Sequence, residues 1–126
     1  CKQPYTPDAD ELQQIATDYA AGTGLAPEAL LAPWRTRFVP AGATGWVLYR
    51  AQGCSHCDHT GYKGRVGIYE LMAASPGIKK LIQTRAPVDQ LFEAATAQGM
   101  LRLLQYGLLK VLEGVTDQRS VRGACS

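Results

Sequence analysis

Cys54 and Cys57 are separated by two residues and open a stretch, 54–71, punctuated by Gly61, Gly64 and Gly67. Two thiolates at this spacing hold two corners of a tetrahedral zinc site, and a closed structural site takes its other ligands from a second segment of chain. Gly53 before the pair and the glycines after it let the backbone fold tightly around an ion. Cys1 is the expected third ligand, and the fourth is expected three residues before it, because the chain opens on Cys1 rather than on a methionine. It therefore reads as a piece cut from a longer protein, binding zinc weakly without that upstream cysteine. His56 and His59 lie inside and beside the pair; histidines in such a position more often face solvent than ligate.

Other thiol chemistry fits less well. A thioredoxin-like pair needs its first cysteine at a helix N-terminus to lower its pKa, whereas Asp58, His59, Thr60 and Gly61 cannot propagate a helix. Disulfides are not expected either: Cys54 and Cys57 are too close for a comfortable staple, and Cys1 and Cys125 sit at the chain ends. Reduced thiols around a metal are the better reading. Tyr62, Lys63 and Arg65 form a basic, aromatic loop beside the pair, suited to phosphate, nucleic acid or an acidic neighbour. Glu70 is an expected partner for Arg65.

These residues need elements to place them. Residues 8–21 read as a helix, capped by Asp8 with Glu11 in a capping-box position. Residues 27–31 suggest a helical turn closed by Pro33, and 34–39 and 46–50 suggest the strands of a hairpin turning over 40–45. Trp34 and Trp46 are expected to pack in the core. A further strand is expected over 66–72. Helices follow: one started by Ser75 and Pro76 with Ile78, Leu81 and Ile82 inward, one over 87–98 with Val88 inward, one over 101–113, and a short one capped by Thr116. The fold class is α+β, with a zinc-binding lobe over 1–73 followed by a helical subdomain over 74–126.

Composition bounds the function. The 126 residues carry a net charge of +2, with no apolar run long enough to span a bilayer. Residues 1–31 hold a net of −4 and residues 32–85 a net of +6, so the middle third suits an acidic neighbour. There is no phosphate loop of the Gly-x-x-x-x-Gly-Lys-Ser/Thr kind and no nucleophile–base constellation. The chain is thus not expected to be an enzyme by itself.

The run Gly53-Cys54-x-x-Cys57 with Thr60-Gly61-Tyr62-Lys63-Gly64-Arg65-Val66-Gly67-Ile68-Tyr69-Glu70-Leu71 resembles the tetracysteine region of the type II secretion and type IV pilus assembly ATPases. The start from Cys1 to Tyr5 is similar to the second half of that family's first cysteine pair. Residues 97–100 and 107–116 resemble its C-terminal helices. The resemblance implies a structural appendage of a hexameric, cytoplasmic motor lying against the inner membrane through a platform protein. Zinc would be held by Cys1, Cys54 and Cys57. ATP and magnesium would bind upstream of this stretch, and pilus-retraction relatives lack the cysteine lobe. The tail over 117–126 departs from the pattern, since it lacks the acidic pair usual before the final helix. Two rival readings remain, a free-standing zinc ribbon binding nucleic acid and a thiol-redox protein.

Overall fold

The computed structural model describes residues 1–125. Its centre is α5 (Leu103–Leu112), whose Leu108, Leu109, Val111 and Leu112 are all buried. Burying a leucine side chain fully contributes about 1.5–3 kcal/mol, so this one helix gathers much of the core. Around it stand α1 (Ala9–Ala20), α6 (Gln118–Cys125) and the strand β2 (Leu48–Ala51). Ile15, Leu48 and Val121 complete the packing. α1 before residue 73 and α5 and α6 after it share this one core.

α1 forms as its sequence predicts. Asp8 caps it, accepting from Glu11 N at 2.8 Å. The capping box is only half made, because the Glu11 carboxylate accepts instead from the Tyr5 hydroxyl and from Gln118 Nε2. At the other end, Gln105 donates to Tyr19 O at 3.0 Å, and the Arg102 guanidinium donates to Ala21 O and Gly22 O. Cationic donors at a helix C-terminus satisfy its orphan carbonyls.

The expected hairpin over 34–39 and 46–50 does not form. Residues 28–38 are one helix, α2 (Glu28–Phe38), with Pro33 inside it. Packing overrides the proline: Trp34 is buried on α1 and meets Tyr19 edge-to-face at 5.1 Å. The sheet pairs β2 with β1 (Lys2–Tyr5) instead, antiparallel, in a register that sets Lys2 opposite Ala51 and Tyr5 opposite Leu48. Trp46 is buried just before β2. The Lys2 ammonium lies 4.3 Å from the Tyr49 ring centroid and donates to Gly114 O beyond α5.

The strand expected over 66–72 is also absent. Val66, Tyr69, Leu71 and Met72 are exposed, and among the described residues no backbone ladder takes this segment. Glu70 does not pair with Arg65. It accepts from Leu103 N at 2.9 Å, capping α5, while Tyr69 and Tyr106 join hydroxyls at 3.2 Å.

α3 (Pro76–Gln83) starts at Ser75, which accepts from Ile78 N at 3.2 Å, and packs on α4 (Val88–Ala97). Ile78 and Ala95 are buried there, but Ile82 and Val88 face solvent rather than inward, because α3 and α4 bury only the strip between them. The final helix is capped by Asp117, accepting from Ser120 N at 2.7 Å, and not by Thr116; it runs to Cys125 rather than stopping at residue 121. Ser126, the last residue of the tail, lies outside the described residues.

Candidate metal centre

The antiparallel register decides where Cys1 goes. β2 ends at Ala51, and Gln52 N and Gly53 N both donate to Cys1 O, at 3.0 and 3.1 Å. The ladder is thereby carried one residue past β1 at its start. The chain then enters a tight 3-10 turn, Ser55–Cys57, that begins at Cys54. His59 N donates to Cys54 O at 2.8 Å, and Asp58 and His59 both take left-handed backbone conformations. This folds the chain back on itself, so that Cys1, Cys54 and Cys57 bring their sulfurs within 4.8 Å of one another.

Cys57 is the innermost of the three and its sulfur is held by the backbone. Cys54 N and Gly61 N donate to Cys57 Sγ, each at 3.3 Å. Burial opposes ionisation of this thiol, yet the backbone N–H groups of Gly61, Cys54, His59 and Thr60 outweigh it and hold its pKa below the ordinary value. Gly61 is indispensable to that approach. Its φ is +90°, and a Cβ there would stand 2.4 Å from Ala51 Cβ and 2.6 Å from Ala51 Cα. Only glycine lets the turn lie this close to β2.

Cys1 and Cys54 are joined as a disulfide, with Cα atoms 6.0 Å apart. This corrects the expectation that no disulfide forms. That expectation takes Cys1 only as a chain end, whereas strand pairing holds it opposite the turn. Cys57 is free, its sulfur 3.8 Å from Cys54 Sγ. Three sulfurs, one already cradled by N–H donors, are a soft donor set of the kind that takes zinc as thiolates. With the Cys1–Cys54 bond reduced, they fit three corners of such a site. His56 and His59 are exposed and lie outside the cluster, as does Cys125, whose thiol burial pushes upward in pKa.

The basic loop beside the cluster is placed differently from a nucleic-acid platform. Tyr62 turns its hydroxyl inward, buried beside Asp117 without a hydrogen bond of good geometry. Burial first, and the Asp117 carboxylate second, hold that phenol far above its ordinary pKa. Lys63 and Arg65 are exposed and line a groove of about 520 Å³ with Val66, Val115 and Val121. Among the described residues neither joins an ion pair.

Comparison with known proteins adds the lineage. A sequence model of the family described as Type II/IV secretion system protein matches residues 25–123. The type IV pilus assembly ATPase TfpB of Acinetobacter baylyi is 45% identical over 74 residues, covering 59% of this chain and 13% of its own length. The type IV pilus assembly ATPase PilB of Pseudomonas aeruginosa is 39% identical over 74 residues, again 59% of this chain and 13% of its own. The type II secretion system protein E of the same organism is 31% identical over 121 residues, which is 96% of this chain and 19% of its own. The chain thus spans only between 13% and 19% of the length of these three relatives. Among the described residues no helix is long and apolar enough to cross a membrane.

Proposed function

The chain belongs to the type II/IV secretion system protein family, and from that premise we propose that it is a metal-bearing appendage of a motor ATPase that powers type IV pilus assembly or type II secretion. The three-sulfur cluster carries this reading. Zinc held by Cys1, Cys54 and Cys57 would supply a cross-link and no chemistry on a substrate. Structural zinc contributes on the order of 10 kcal/mol of folding free energy in small modules, which is what a turn with so little apolar packing of its own requires. The residues themselves do the positioning: β1 brings Cys1 to the turn, and Gly61 lets the turn sit on β2.

The exposed stretch holding Val66, Tyr69, Leu71 and Met72 supports an appendage rather than a free-standing module, since an apolar run of this kind calls for a covering partner. In this reading ATP and magnesium bind elsewhere in the motor. Partner surfaces belong to other copies in a homohexamer and to an inner-membrane platform protein, on the cytoplasmic side. The nucleic-acid reading loses support because Tyr62 turns its hydroxyl inward instead of offering a stacking edge.

The test is a chimera in which residues 1–126 replace the matching segment of TfpB in Acinetobacter baylyi. The chimera is expected to assemble pili and to retain zinc after purification, and Cys54→Ser with Cys57→Ser is expected to lose both. Pili assembled equally well by the double-serine chimera would overturn the assignment. Retention of duplex DNA by the isolated chain, falling steeply with salt, would favour the nucleic-acid module instead.

A further inference from the structure

We propose that the three-sulfur cluster accepts a metal and a disulfide as mutually exclusive cross-links between the same two segments, so that a disulfide-class oxidant ejects the metal while β1 stays tied to the turn. The inference rests on the metal reading given above, and deepens it into regulation of that site.

The geometry requires competition. Cys1 belongs to the β1 end of the ladder, while Cys54 and Cys57 belong to the turn. A metal bound by all three would bridge those segments, and the Cys1–Cys54 disulfide bridges them already. The Cα separation of 6.0 Å lies in the ordinary disulfide range. The backbone donation from Gln52 and Gly53 to Cys1 O therefore serves either cross-link without rearrangement of the strands. The thiolate is the metal ligand, and a sulfur committed to a disulfide has lost that character. In the oxidised state only Cys57 remains, and one thiolate does not hold zinc.

The interconversion balances. A dithiol reductant gives two electrons and two protons to the Cys1–Cys54 bond, leaving two thiols and a cyclic disulfide of the reductant. Zinc then displaces the protons of Cys1, Cys54 and Cys57. In reverse, glutathione disulfide takes two electrons from the Cys1 and Cys54 thiolates. Their sulfurs bond to each other, two glutathione thiolates leave and take up protons from water, and zinc departs as its ligands fall from three to one. Only the reduced, metal-free state lacks a link between the segments. In that state β1 is held without a cross-link, by its backbone ladder and by contacts such as that of Lys2.

The experiment uses the full chain, reduced and loaded with one equivalent of zinc, then titrated with glutathione disulfide. Zinc release is followed with a chromogenic chelator, and pairings are mapped by peptide mass spectrometry with Cys125 as the internal thiol control. Release is expected to track formation of the Cys1–Cys54 peptide. The zinc-loaded form should melt highest, the oxidised form below it, and the reduced form in chelator roughly 10 °C below the oxidised one. Cys57→Ser should keep the disulfide and lose zinc more than tenfold in affinity. Zinc retained after Cys1–Cys54 has formed would overturn the exclusivity, and so would zinc lost without that bond. If neither the reduced chain nor the same chain extended to include the cysteine expected three residues before Cys1 takes up zinc, the metal reading itself is wrong and the exclusivity falls with it. The disulfide map, read independently, tells these failures apart.

Discussion

Replacing Gly61 by alanine isolates what the close approach of turn and strand is worth. Two penalties apply. The φ of +90° is a conformation an alanine occupies at a cost of roughly 1–3 kcal/mol. The new Cβ would also overlap Ala51, at 2.4 Å from Cβ and 2.6 Å from Cα. Overpacking of this kind costs about 1–3 kcal/mol, and the upper part of that range applies because a strand backbone cannot shift without loosening the β1–β2 ladder. Gly64 supplies the control: its φ is +83°, and a methyl group added there would meet nothing within 4 Å. Both variants gain the same small amount, about 0.4–1 kcal/mol, from a stiffer unfolded chain. The shared terms cancel in the difference. Gly61→Ala should therefore be less stable than Gly64→Ala by about 2 kcal/mol, a separation of about 1 M in urea midpoint at the slope expected for a small domain. Both proteins are compared fully oxidised, so the cross-link is constant. Equal losses, within about 0.5 kcal/mol, would refute the claim that steric contact with β2 rather than backbone conformation demands this glycine.

Two further outcomes follow from packing and titration. Gly107 lies inside α5, where a Cβ would stand 2.6 Å from Val121 Cγ1; Gly107→Ala gains about 1 kcal/mol of helix propensity but loses more to overpacking, so it should cost about 1 kcal/mol net. Val121→Ala should cost about 2 kcal/mol, and the double variant about 1, a coupling that a urea-melt cycle reads directly and that additivity would disprove. Tyr5 and Tyr62 have phenol pKa values raised by burial first and by their neighbouring carboxylates, Glu11 and Asp117, second. A raised folded pKa means the stabilisation is whole below the unfolded value of about 10 and is lost as pH rises beyond it toward the folded value. Stability should hold to about pH 9.5 and fall above it, with phenolate absorbance at 295 nm from these two rings appearing only with unfolding; six tyrosines titrating together near pH 10 in a folded chain would contradict this.

Local signals in the sequence are reliable where the local chain decides the outcome. Asp8 and Ser75 cap their helices, and Gly99 and Gly114 close theirs with positive φ, as the residue types predict. Cys54 and Cys57 come together because their turn is made within a few residues. What the sequence does not reveal lies at long range. The pairing of β1 with β2 joins residues about fifty apart, and a four-residue strand containing Pro4 gives no alternation to read. Trp34 reads as extended because its neighbours are bulky and Pro33 precedes it, while the deciding interaction is with Tyr19 on another helix. Val66 to Met72 shows the converse. Its residues favour a strand, but a strand is completed by a partner, and among the described residues none pairs with this segment.

The disulfide and the missing strand have a common physical origin. Secondary structure of the β kind is completed by partners, and each end of the 51–72 stretch meets a different supply of them. At its start, β1 supplies a partner and carries Cys1 to the turn, so three sulfurs converge and the segment is fixed. At its end only the α5 N-terminus is at hand, and it captures Glu70 and Tyr69 through side chains rather than through a ladder. The segment between is held at both ends and bare in the middle, with Val66 exposed over a groove that Lys63 and Arg65 rim. A chain tethered this way has no ladder of its own, which leaves its backbone donors and acceptors open to an incoming partner.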